Sequence, residues 1–517
     1  MTDPQPVTVP RGDGARRPSG ALFGIVIGLF IGVLVGALVI PRHQADVVTA
    51  ARGRLGGAAA SGGAADQSAT GVAGDAAGTA GAAGPGGSTG GATGAGRAGS
   101  SNGAAGRNGS TSAAAAAGGP SRGVSANTIK IGVAYSDLTA LRALGPEYDN
   151  GNVPQQWDAL LDGWRKSGAL PVNGRDVQFV YKSYNVLNLA DQRAACSSLI
   201  QDSGVFAVVG VAYFAVGSDC VARQYHTPML TSDGPGADVY QLGWPYLFSV
   251  DESADRTLAN MLLWADSRGA LRGKKIGLYY AEDGLEPGLV NRSVKPTLAR
   301  LGYKLAAEST TSANDTNGGP EDAVAVQRFR AAGVDLAILL TSKTGFLQAA
   351  SAQGYKPTFI DSDYLYGTSD VTTSTYPAGE WDGTFTITST HRGEPAAGIG
   401  LNQAQEACIQ NYERYSHSSV GRPTKSGHEA AVFAYILTAC DEGNLLLDAM
   451  RAAGPNLNAA SLVAALEGVH NRPLLRYSAI SFSSTRHDGE DTGRTLLWRS
   501  QCTCYVAQGD FFPLAVR

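Results

Sequence analysis

The chain carries six cysteines and seven histidines, residue types that often supply nucleophiles, acid–base groups or metal ligands. The histidines are His43, His226, His391, His417, His428, His470 and His487, and none pairs with another at i, i+4. No HExxH, P-loop, GxGxxG or GxSxG pattern is present, so zinc hydrolysis, phosphate cradling and a nucleophile elbow are not indicated. His428 stands beside Glu429 at the start of a helical stretch. A general base needs a partnered nucleophile and none is visible, so His428 reads as a ligand contact or a structural group. Asp488, Glu490 and Asp491, with Gly489 and Gly493, have the composition of a calcium loop without its spacing; a polar hairpin turn is expected there. The cysteines are Cys196, Cys220, Cys408, Cys440, Cys502 and Cys504. They form neither a CxxC pair nor a Cys/His cluster of zinc spacing, which leaves disulfides or buried thiols. Fifteen pairings are possible; the local Cys196–Cys220 is favoured, closing a loop worth roughly 3–4 kcal/mol in the chain-entropy model. No metal, no cofactor and no catalysis are therefore expected.

Binding remains, and its residues must be positioned by the elements around them. From about 124 onward the composition is that of a globular protein, and nearly 400 residues exceed what one hydrophobic core usually spans. Two lobes are expected. Thr128–Ala134, Asp176–Lys182 and Val205–Val211 read as strands, with helices over Ala190–Asp202 and Gly217–Gln224. A second set follows. Helices are expected over Ser253–Arg268, Leu289–Leu301, Glu321–Ala332 and Thr344–Gln353, with strands at Lys275–Ala281, Tyr303–Glu308, Val334–Thr341 and Thr358–Asp361. Short apolar strands alternating with helices indicate parallel sheets covered on both faces, hence two doubly wound α/β lobes. Lys425–Met450 and Ala459–Gly468 read as helices, and Tyr477–Phe482, Arg494–Arg499 and Thr503–Ala507 as closing strands. The formal net charge of −4 offers nucleic acid no polycationic surface.

The order of these pieces resembles the type I periplasmic binding fold, in the branched-chain amino-acid (Leu/Ile/Val) class of ABC-transporter receptors. The resemblance is carried by IKIGVAYSD, YKSYNVLNLADQRAACSSLIQDSGVFAVVG and QYHTPMLTSD in the first half. KKIGLYYAEDG, AAGVDLAILLT, GYKPTFIDSDY and the late helix HEAAVFAYILTACD carry it in the second. It covers Thr128–Arg517. It implies three crossovers between lobes, with lobe one at about 125–249 and 380–470 and lobe two at about 250–379 and 471–517. It also implies a disulfide at the positions that Cys196 and Cys220 occupy.

In open parallel sheets ligands bind beyond the carboxyl ends of the strands. That rule selects Tyr135-Ser136-Asp137, Ala212-Tyr213-Phe214, Ser232-Asp233, Glu282-Asp283, Ser342-Lys343 and Asp363-Tyr364. Tyr135, Tyr213, Phe214 and Tyr364 would supply apolar walls, and Ser136, Ser232, Asp283 and Asp363 polar contacts. The resemblance gives Asp363 the task of receiving a ligand ammonium. It also calls for small hydroxyls after the third strand, where this chain has Tyr213, Phe214 and Ala215. An amide or an aromatic acid is thus as well suited as leucine.

Residues 21–40 are uncharged and apolar throughout, and at 1.5 Å per residue they span roughly 30 Å, the thickness of a bilayer core. A membrane anchor is expected rather than a cleaved signal, whose apolar stretch is shorter. Arg11, Arg16 and Arg17 precede it, which places residues 1–20 in the cytoplasm and the body (124–517) outside. Gly24, Gly28, Gly32 and Gly36 recur at every fourth position, a stripe along which a second helix could pack. Residues 41–123, rich in Gly, Ala and Ser, read as a disordered linker. The expected function is delivery of a small solute to an ABC-type permease by cleft closure. The alternative is a tethered sensor acting through a membrane partner, since about 20 residues before the anchor leave no room for a signalling domain of its own.

Overall fold

Each run of short apolar strands closes its own sheet. The computed structural model describes residues 121–139, 149–186, 188–210, 214–312, 319–377, 379–425 and 429–516. Strands β1 (Thr128–Ser136), β2 (Asp176–Tyr184), β3 (Ala207–Gly210), β4 (Met229–Thr231) and β5 (Leu247–Ser249) make a five-stranded sheet ordered β2-β1-β3-β4-β5. Every pairing in it is parallel. The second sheet holds β6 (Ile276–Ala281), β7 (Leu305–Thr311), β8 (Leu336–Leu340), β9 (Thr358–Asp361), β10 (Phe385–Thr388), β11 (Thr492–Arg499) and β12 (Cys504–Pro513). Its order is β12-β11-β10-β9-β8-β6-β7, parallel from β7 to β10 and antiparallel at β11 and β12. β3 and β8 are buried along their whole length, because helices cover both faces of each sheet and leave no solvent side to demand alternation.

The helices follow from local signals. Helix α1 (Val153–Ser167) starts where the Asn152 side chain accepts a bond from Gln155 N, and stops at Gly168, which takes φ 79°. Its buried face presents Trp157, Leu160, Leu161 and Trp164 to the first sheet. The sequence reading assigned no element here, although 153, 157, 160, 161 and 164 keep helical spacing. α2 (Leu189–Ser197), α3 (Ala254–Ser267) and α4 (Gln403–Ser416) are capped by the side chains of Asn188, Ser253 and Asn402. α5 (Ala431–Ala453) is the long helix expected from Lys425; it begins at Ala431 instead.

Apolar clusters flank each sheet separately: Trp157, Val209 and Ile436 with Leu199, Val208 and Met229 in the first lobe, Leu262 and Ile338 with Phe329 and Trp381 in the second. The expected two-lobed, doubly wound architecture is present, with two shifts in its boundaries. β10 pairs with β9, so the chain leaves the second lobe after 388 rather than at about 380. Leu474, Tyr477, Ile480 and Phe482 pack in the first lobe's core, so the return comes near 490 rather than at about 470. Tyr477–Phe482, expected as a strand, makes only single bridges, Thr390–Tyr477, Arg472–Ile480 and Ile480–Glu490.

Three disulfides are present: Cys196–Cys220, Cys408–Cys440 and Cys502–Cys504. The second staples α4 to α5. Among the described residues no helix is long and apolar enough to cross a membrane. The run 21–40, the glycine stripe within it and the 41–123 linker lie outside the described residues.

Candidate functional site

Three crossovers join the sheets, and they run side by side. The first is Val250–Ser253, between β5 and α3; the second is Ser389–Arg392, after β10; the third is His487–Asp491, before β11. Backbone bonds join the first to the third, Ser249 N to His487 O at 2.9 Å and Gly489 N to Asp251 O at 3.2 Å, while His391 N of the second bonds to Arg476 O of the first lobe at 3.0 Å. The buried Arg256 of α3 spans the first and third. It pairs with the Asp488 carboxylate at 3.0 Å and lies 3.6 Å from that of Glu252. It also donates to the carbonyls of Asp488, Glu490 and Val516. The acidic run that was expected to be a turn is thus both an antiparallel return against 479–481 and the third crossover. Asp488 is bound by Arg256 and by Ser253 N, and Asp491 by Arg486. Among the described residues no cluster of His, Cys, Asp or Glu is placed to hold a metal ion.

Around this seam the strand ends collect polar groups. In the first lobe β4 runs into Ser232 and Asp233, and β5 into Asp251 and Glu252. The two loops touch closely enough that a Cβ on Gly234 would lie 2.3 Å from Glu252 O, so only glycine fits. In the second lobe Asp363 follows β9. Its carboxylate accepts both the Thr388 hydroxyl at 2.9 Å and Ser389 N at 2.8 Å, and the Thr368 hydroxyl as well. Arg392, at the second crossover, donates to Thr368 Oγ1 at 3.1 Å.

Electrostatics connects the two lobes here. Burial pushes Asp251 up to about 7, with Asp363 and Asp233 adding to the shift and the Tyr477 hydroxyl and Arg392 opposing it. Glu252 is pushed up to about 8 by burial against the Arg256 charge. Glu490 is raised by burial and then by Asp251, Glu252 and Asp363. Burial acts the same way on Asp488, but the Arg256 guanidinium and the Ser253 bonds outweigh it and leave that carboxyl below its ordinary value. Asp251 of the first lobe and Asp363 of the second therefore share one acidic seam.

The residues selected from the sequence divide into several groups. Ser136, Ser232 and Tyr135 sit at the first lobe's strand ends, the two serines buried and Tyr135 packed against the core. Asp363 is at the seam, though its carboxylate is taken up by its own lobe. Phe214 is fully buried, its ring 4.5 Å from that of Tyr184; it belongs to the core rather than to a ligand wall. The Tyr364 hydroxyl donates to Glu286 Oε1 at 2.7 Å and its ring packs with the second lobe's core. Asp283 is exposed. Tyr213 and His428 lie outside the described residues. Missed were Asp251 and Arg392. Asp251 lies two residues past the end of β5 and was passed over as a lobe boundary.

Residues 128–499 match the family model described as periplasmic binding protein, and the chain belongs to that family. No curated protein matches it. Solved structures with the same fold include a solute-binding protein of an ABC transporter from Rhodopseudomonas palustris BisB5 in complex with 3,4-dihydroxybenzoic acid. It is 15% identical with a TM-score of 0.54, over 75% of this chain and 98% of that one. A branched-chain amino acid ABC transporter protein from Thermus thermophilus with bound valine gives 15% identity and 0.54, over 76% and 98%. A leucine-binding protein from Thermotoga maritima gives 15% and 0.52, over 74% and 99%. The fold is the type I arrangement that the sequence resembled.

Proposed function

We propose that the protein is an extracytoplasmic receptor that closes its two lobes on a small organic solute and delivers it to an ABC-type permease. The observation that carries this reading is the seam: strand-end loops of both sheets converge on three adjacent crossovers, where a ligand touching both lobes would stabilise the closed form. Two of the structural relatives named above hold an aromatic acid and valine respectively, so an amino acid, an amide or an aromatic acid is the expected size and class. In this reading residues 21–40 tether the body and 41–123 act as its leash, with a mean reach of roughly 45–50 Å for a flexible coil.

The test is a thermal-shift screen of the purified full-length chain against amino acids, amides and aromatic acids. A true ligand raises Tm in proportion to the logarithm of its concentration. A broad library that leaves Tm unmoved would remove the receptor reading. The tether is checked separately: the full-length chain should sediment with membranes after carbonate washing and be released by detergent.

A further inference from the structure

Of the three disulfides, two act as staples and the third does not. Cys196–Cys220 and Cys408–Cys440 close separations of 24 and 32 residues, and their four side chains are at most 7% exposed. Cys502–Cys504 joins residues only 2 apart, in the turn between β11 and β12. That turn is held without it. The β11–β12 ladder reaches Arg499 opposite Cys504, and Asp382 Oδ1 accepts a bond from Ser500 N at 2.8 Å. A crosslink this short leaves the unfolded chain almost as free as before, so it adds little to the fold.

Protection runs in both directions. A fold shields a crosslink from reduction by the same factor by which the crosslink favours the fold. Loops of the length closed by the first two disulfides give a factor of roughly a few hundred, and the third gains almost none. Access sharpens the contrast. Cys502 is half-buried between exposed Gln501 and Thr503, whereas Cys504 is 3% exposed, so an incoming thiolate reaches the Cys502 sulfur. Thr503 between them takes φ 49°, a left-handed conformation that β-branched residues rarely adopt and that opening the ring relieves. The Cys502 sulfur lies 3.7 Å from the carbonyl oxygens of Arg499 and Cys504. A thiol formed there by reduction finds acceptors already in place.

We propose that Cys502–Cys504 is a thiol–disulfide exchange site that accepts two electrons from a dithiol. The first thiolate of the dithiol attacks Cys502 Sγ, the bond to Cys504 breaks, and the Cys504 sulfur leaves as a thiolate that takes a proton from solvent. The second thiolate then attacks its own partner sulfur in the mixed disulfide, and Cys502 leaves and is protonated in turn. The dithiol is oxidised to its disulfide as the chain's disulfide is reduced to two thiols. A monothiol stalls after the first attack, because the freed Cys504 sits beside the mixed disulfide and reverses the step. The site does not depend on the solute.

The test is a reductant titration of the full-length chain in detergent, with free thiols capped by N-ethylmaleimide and located by peptide mass spectrometry. Dithiothreitol is expected to open Cys502–Cys504 at a concentration about a hundredfold below that needed for the other two disulfides. The chain with this bond alone open should keep its Tm. A margin under about tenfold, or a Tm that falls as Cys502 and Cys504 become cappable, overturns the proposal. Glutathione at equal thiol concentration should leave the bond closed, and opening it as readily as dithiothreitol overturns the dithiol class. Reduced thioredoxin separates the sources: faster opening than by dithiothreitol at equal concentration marks a protein-borne dithiol, slower opening a small one, and either upholds the site. Two variants identify the attacked sulfur. The lone Cys502 of Cys504→Ser should react with iodoacetamide about tenfold faster than the lone Cys504 of Cys502→Ser; equal or reversed rates overturn the order of attack. Should either variant misfold, the titration of the natural chain decides alone.

Discussion

At the scale of single residues, the seam is held by side chains whose partners are far away in sequence. Arg256 bonds to residues more than 230 positions later. Arg256→Ala strands the buried Asp488 carboxylate and should cost roughly 3–5 kcal/mol in a urea titration. Arg256→Lys should recover only part, because one ammonium cannot serve several carbonyls and a carboxylate together. Asp363 behaves similarly on a smaller scale. Asp363→Ala removes the acceptor of Thr388, Ser389 and Thr368 and should lower stability by roughly 1–3 kcal/mol. If that variant keeps full affinity for an amine, Asp363 is a brace for the seam and not a ligand contact. The strand-end rule found Asp363 and Ser232 because it needs only strand order. It could not find Arg392, whose place at the seam depends on where the chain leaves the second lobe after β10.

Among the elements, strands were the most legible. β3 and β8 are short runs of wholly apolar residues, which a sheet buried on both faces demands. The crossovers were not, since their positions depend on which sheet accepts β10. A strand reading FTIT fits either lobe by composition, and only its pairing with β9 decides. Helix α5 illustrates a third case, where the apolar content was read and the start was not. Its anchor to α4 is the Cys408–Cys440 bond, closing a separation of 32 residues. Replacing both cysteines by serine should cost roughly 3–4 kcal/mol, read as a lower denaturant midpoint with an m-value shifted by the freer unfolded chain. Cys502–Cys504 spans 2 residues and its removal should change the midpoint little.

At the scale of the whole molecule, buried acids outnumber buried histidines among the described residues, and this sets the response to pH. Burial raises Asp251, Asp441 and Glu286 to about 7 and Glu252 to about 8. Each keeps its proton in the folded chain where the unfolded chain has lost it. Their contributions are complete below the usual carboxylate pKa and vanish as pH climbs through 7–8. His487 acts oppositely. It is stacked between Trp244 and Phe248 with ring centroids 3.8 Å and 3.7 Å away, and burial pushes it down to about 4. Its contribution is present above pH 6.5 and is lost on acidification toward 4. Glu490, Glu442 and Asp361 are raised by burial as well, so the acids outweigh the one histidine and give a net fall in stability from pH 5.5 to 8.5, expected as a Tm lower by roughly 5 °C in calorimetry. The interleaved path of the chain has a consequence for biosynthesis. The first sheet's strands are complete at Ser249, but the core they pack on includes Ile480 and Phe482. During translation those strands must wait, uncovered on that side, while more than 200 further residues emerge. Helpers that shield nascent apolar surface should therefore matter more for yield than they would for two lobes encoded one after the other.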